Sequence, residues 1–188
     1  MKTKTLLVLL LLLATAARER TYMGQPVVDM QFSIAGGKTV SLPVTDGGPI
    51  PAEDRDFKIE AAGFSIQPSL FGSKQALLAW QFGLTSKTSK TLDRVVVEEV
   101  FPSDVSKVLV DDQSPSLSGK MWSGSTVGVA PNPTSTPWLF TEKASIFVFR
   151  FTITPAGSGR PVVLHQPAWF SRPVKEQFQQ TIARINGS

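Results

Sequence analysis

The chain of 188 residues has no cysteine, one histidine and one tyrosine. Without thiols it can hold no disulfide, thiolate zinc site or iron–sulfur cluster, and it has no cysteine nucleophile. A fold of this size without cross-links must rest on a buried apolar core. The lone imidazole, His165, leaves oxygen as the only plentiful ligand type, which suits calcium rather than zinc or copper. No cofactor motif is present, and no cofactor is expected. Long hydrophobic stretches are also missing. The longest, Leu6–Leu13, is eight residues, far short of the roughly 20 that span a bilayer.

That short run has a different meaning. Lys2 and Lys4 precede it, and the small residues Ala14-Thr15-Ala16 follow it. A positive start, an apolar middle and a small-x-small site form the three-part pattern of a secretory signal. Residues 1–17 are therefore expected to direct export and to be cleaved near Ala16 or Ala17, in the style of a bacterial protein of the periplasm or medium. With no cysteine at the cleavage site, lipidation is not expected there, and no membrane span is expected after cleavage.

Charge of one sign is scarce as well. The 19 Lys and Arg against 15 Asp and Glu give a net charge of +4. Loss of Lys2 and Lys4 leaves 17 basic residues and a net charge of +2. No basic run is dense enough to follow a phosphate backbone, so nucleic acid is not an expected partner.

What is present is alternation. Phe147, Phe149, Phe151 and Ile153 fall on one face of a period-2 pattern, as do Leu78, Trp80, Phe82 and Leu84. Successive strand side chains point to opposite faces, so these runs predict two buried sheet faces opposed across a core. Phe57–Ile66 slips phase at Ala61-Ala62-Gly63, as a bulge would. In Leu92–Phe101 the spacing turns Val95, Val97 and Phe101 inward and Glu98 outward. Glu99 has the inward phase too, so either a bulge re-aims it or that end lies at a sheet edge.

Upstream, Val28, Met30, Phe32 and Ile34 alternate before Gly36-Gly37, and Val40, Leu42 and Val44 alternate after it. Two glycines supply the positive φ of a tight turn, which predicts a hairpin. Thr45 to Asp56, rich in proline and glycine, marks the boundary with the main body. The chain loosens from Gln113 to Thr141, where Ser, Gly, Thr and Pro dominate. At the end Val174, Phe178, Ile182 and Ile185 form one stripe behind Pro173, predicting a short amphipathic helix.

These patterns predict about eight or nine strands spaced by turns. The expected fold is all-β: an antiparallel immunoglobulin-like β-sandwich with an N-terminal β-hairpin and one short C-terminal α-helix. Residues 18–56 would hold the arm and hairpin, and residues 57–188 the sandwich and helix. The segment QALLAWQFGLTSKTSKTLDRVVVEEVF resembles immunoglobulin-like domains in its rhythm of strand, polar turn and strand, although their paired cysteines are missing. The apolar Ile146 and Val148, on the outer face of the phenylalanine strand, should be covered by the hairpin or the helix.

Chemistry-bearing constellations are thin. His165 lacks a GxSxG elbow or a nearby nucleophile with an orienting acid, so a solvated or carbonyl-bonded strand-end histidine is the simpler reading. Glu53, Asp54, Asp56 and Glu60, with Asp111-Asp112, lack the spacing of a calcium loop. A glycosidase pair is unspecific among so many carboxylates. Lys74, Lys87 and Lys90 read as solvated turns. Trp122, Trp138 and Trp169 lie in loop-like or strand-end settings, where rings either plug the ends of the core or offer sugar-stacking platforms. No catalytic residue and no metal site are assigned; Trp122, Trp138 and Trp169 are the candidate ligand-binding residues.

The expected function is an exported, non-enzymatic β-sandwich module that binds or scaffolds a protein or glycan of the cell envelope. A carbohydrate-binding module using the loop tryptophans is the alternative, and a small extracytoplasmic hydrolase the second.

Overall fold

The computed structural model describes residues 20–68, 76–102, 104–130, 146–157 and 159–169, with isolated positions beyond. Every element described is a strand, and all the pairings are antiparallel. The strands are β1 (Thr21–Tyr22), β2 (Gln25–Pro26), β3 (Val28–Ile34), β4 (Lys38–Thr45), β5 (Gly48–Pro49), β6 (Phe57–Pro68), β7 (Ala76–Ser86), β8 (Leu92–Phe101), β9 (Lys107–Asp112), β10 (Met121–Ala130), β11 (Ile146–Pro155) and β12 (Val162–Trp169). The helix expected after Pro173 lies, apart from isolated positions, outside the described residues.

Two sheets face one another, ordered β10-β7-β6 and β12-β11-β8-β9. Their shared core is aromatic. Trp80 meets Phe147 and Phe149 with ring centroids 5.0 and 4.8 Å apart, and Phe82 meets Phe149 and Phe151 at 5.1 and 5.8 Å. All four contacts are edge-to-face, the geometry that sets a positive ring edge on a negative ring face. The alternating phenylalanines of β11 thus form the inner wall that their period required.

A third sheet, β3-β4-β5, adds a layer to the outer face of the four-stranded sheet. Phe32, Ile34, Ala35 and Leu42 bury Val100 and Val148 in a second cluster, with Ile146 packed against it. The hairpin therefore covers the apolar outer end of β11. It lies across the sheet beneath. Its tip reaches β8, where the Ala35 amide donates to the Val100 carbonyl at 2.8 Å, and its base reaches β12 beside Trp169.

Four sequence expectations need correction. Phe101 does not face the main core. The register shifts at Val97/Glu98 and at Val148/Phe149, so Val100 and Phe101 both pack on the hairpin, Phe101 at 5.4 Å from Phe32. Glu99 is neither re-aimed nor at an edge; it keeps its inward phase and is fully buried. The loosening expected from Gln113 to Thr141 does not extend over residues 121–130, where β10 pairs with β7 along its whole length. Small and polar residues hid that strand: on its inward phase Trp122 is followed by Gly124 and Thr126 in place of an apolar run. The phase slip in β6 also falls slightly earlier than expected, between Ile59 and Ala61.

Candidate functional site

The three candidate tryptophans do not form one surface. Trp122 is 1% exposed and lies in the main core. Its Nε1 donates to Asp112 Oδ2 at 2.8 Å, which ties β10 to β9. Its six-membered ring lies over Gly124, where a Cβ would sit 2.5 Å from Cη2. Trp122 is thus an end-plug of the core and offers no face to a ligand. Trp138 lies outside the described residues. Trp169, half-buried at the end of β12, stands beside the hairpin base, its Nε1 3.9 Å from where a Cβ on Gly48 would be.

Next to that base lies a concavity of the N-terminal layer. A cleft of about 320 Å³ is lined by Tyr22, Met23, Gln25, Thr45, Pro49 and Pro51, together with Gly47 and Gly48. Its walls are short strands held by side-chain bonds. The Gly47 amide donates to Gln25 Oε1 at 3.0 Å, and Thr45 Oγ1 donates to the Gly48 carbonyl at 3.1 Å. Met23, at the β1–β2 turn, is 88% exposed. No lining residue carries a formal charge. Apolar, prolyl and aromatic walls with a few fixed polar groups are what small concave binding sites generally offer.

Residues 49–51 separate this cleft from a smaller one of about 140 Å³ beside β6 and β12. Gln166 holds that segment in place. Its Oε1 accepts from the Ala52 amide at 2.7 Å, while Nε2 donates to the Ile50 carbonyl at 3.3 Å and the Pro167 carbonyl at 2.8 Å. This glutamine escaped sequence reasoning. The only signal was its inward phase, opposite Phe149.

The titratable groups fall into separate sets. His165 lies opposite Arg150, whose guanidinium pairs with Glu98 at 2.7 Å. Burial and then the Arg150 charge push the His165 pKa down. Its Nε2 is buried without a hydrogen-bond partner among the described residues. A cationic neighbour in place of a carboxylate gives this ring neither the orientation nor the stabilised imidazolium of a triad base.

The acidic loop before β6 is occupied internally. Asp54 Oδ1 accepts from the amides of Asp56 and Phe57 at 2.9 and 2.7 Å. Lys87 donates to Glu53 and Lys90 to Asp56, each at 2.7 Å. The Lys90 hydrogen bond holds the Asp56 carboxyl below the usual range. Lys87 and Lys90, expected to be solvated, thus pair with this loop, while Lys74 lies outside the described residues. Among the described residues no group of three or more potential ligands could hold a metal ion. No described helix is long and apolar enough to cross a membrane.

No family model, curated protein or solved structure matches this chain.

Proposed function

We propose that the chain is an exported, non-enzymatic binding module whose cleft in the N-terminal layer holds a protein partner of the cell envelope. The observation that carries this reading is the uncharged cleft walled by Tyr22, Met23, Pro49 and Pro51. Met23, 88% exposed at its rim, adds apolar surface that a partner could cover. The signal-like residues 1–17 support export.

An immunoglobulin-like framework is part of the proposal. Three strands face four, and β9 joins its sheet beside β8, the third strand of the main body. That is where a variable-type immunoglobulin domain adds strands to its second sheet. A glycan is the second reading, favoured by half-buried Trp169 beside the cleft. With Trp122 in the core, that reading rests on one described tryptophan instead of two.

The test compares the chain from Arg18 onward with its Met23→Glu and Tyr22→Ala variants in capture from envelope extract and on a glycan array. The proposal expects a protein captured by the parent chain and lost by both variants, with far-UV circular dichroism unchanged. Equal capture by all three chains overturns it, and array binding without a captured protein installs the glycan reading. Export is tested by the N-terminal residue of the protein recovered outside the cytoplasm.

A further inference from the structure

Sheet edges expose unpaired amides and carbonyls, and several edges in this fold have partners at single positions among the described residues. At β12, Gln166 engages residues 50–52, and at β6 the Ile59 amide donates to the Ala52 carbonyl at 2.9 Å. Trp122 and Asp112 close the gap between β10 and β9. β3 is different. Seven residues long, it pairs with β4 on one side, and its other side meets no backbone partner among the described residues. Among the described residues the one cross-sheet backbone bond near it, from Ala35 to Val100, lies beyond its end.

Natural edges are guarded by lysine, proline, bulges or inward charges. β3 has none of these. Its register against β4 runs unbroken from Val28 to Ile34, and its one charge, Asp29, is paired with Arg20. We propose that β3 pairs antiparallel with β3 of a second copy, centred on Gln31, joining two three-stranded sheets into one of six. This pairing stands whether or not the cleft holds a partner.

The occupant follows from register. A strand that pairs with its own copy must keep apolar side chains opposite apolar ones, since a slip by one residue turns every side chain over. Centring on Gln31 sets Met30 against the copy's Phe32 and Val28 against its Ile34. On the other face Asp29 meets Ser33 and Gln31 meets Gln31. No like charges face each other, a condition cross-strand pairs require. The arrangement is isologous and closed, as two-fold dimers are. It also covers Val28, which is 58% exposed although it has the inward phase of the strand.

The absence of cysteine makes the test clean. Residues directly opposite in an antiparallel pair have Cα atoms about 4.5–5.5 Å apart, within disulfide reach. Gln31→Cys is therefore expected to form a covalent dimer under mild oxidation, while Ser41→Cys, exposed on the neighbouring β4, stays a single chain. In sedimentation the parent chain is expected to give twice its chain mass. Gln31→Lys, which sets like charges across the axis, is expected to give one chain mass with unchanged circular dichroism. A parent chain of single mass at every concentration overturns the proposal. So does a dimer in which Gln31→Cys cross-links no faster than Ser41→Cys, or one that survives Gln31→Lys.

Discussion

Glu99 and Lys107 are direct cross-strand neighbours of β8 and β9, and both Glu99 carboxyl oxygens are buried without a hydrogen-bond partner among the described residues. Burial raises the Glu99 pKa to about 7, and the Lys107 charge offsets only part of that rise. The carboxylate faces the row of Phe149, so ionising it places charge against an aromatic wall.

The sign of the pH dependence follows. The folded chain holds the Glu99 proton more tightly than the unfolded chain does. The associated stability is complete below pH 4.5, the ordinary value, and is lost as pH rises towards about 7. That interval corresponds to about 3 kcal/mol. Urea unfolding at pH 5 and pH 8 should show this loss in the parent chain and a much smaller one in Glu99→Gln. Equal losses in the two chains would remove Glu99 as the cause.

Trp122 and Gly124 make a second pair with opposite demands on volume. A Cβ at Gly124 would meet the indole at 2.5 and 2.6 Å, with Val110 at 3.3 Å behind it. Gly124→Ala should therefore cost about 1–3 kcal/mol through overpacking. Gly63→Ala, in the same sheet with nothing within 4 Å of the new Cβ, should be neutral or slightly stabilising. Thermal melts of the two variants decide it. Equal effects would mean that the glycines answer to backbone freedom and not to the indole.

What could be read from the sequence was what periodicity controls. Phe147 to Ile153 and Trp80 to Leu84 announced their buried face because large apolar residues recur every second position. The Gly36-Gly37 turn announced the hairpin by backbone geometry, both residues having positive φ. β10 stayed hidden because Trp122 packs over Gly124, so one ring fills the space of two side chains and the alternation vanishes. The cleft was equally hidden: Tyr22, Thr45 and Pro51 lie apart in sequence and line one space only in the folded chain. Tertiary contacts of that kind leave no local period.

The hairpin is bound to the main body by its apolar face, and Phe32 is its largest buried side chain there. Phe32 packs edge-on to Phe101 within the cluster that covers Val100 and Val148. Phe32→Ala should cost about 3–5 kcal/mol. Because that face is shared, unfolding should stay a single transition with a lower midpoint. A separate early transition, detected by hydrogen exchange of β3 and β4 alone, would show that the hairpin folds independently of the sheet beneath it.

Gln166 ties β12 to the segment that shapes both clefts, and its removal separates that tie from general stability. Gln166→Leu keeps much of the volume but leaves the Ala52 amide and the Ile50 carbonyl without their partners. An unsatisfied buried group costs about 1–3 kcal/mol. The loss should be local, because Ile59 still donates to the Ala52 carbonyl and Asp54 still caps the start of β6. Hydrogen exchange should therefore accelerate at Ala52 and leave the amides of β7 and β11 protected. If the tie also sets the geometry of Pro49 and Pro51, partner capture should weaken in Gln166→Leu while the main core melts as a unit. Unchanged exchange at Ala52 would mean that its amide draws no protection from this glutamine, and the segment would then owe its position to Ile59 and Asp54 instead.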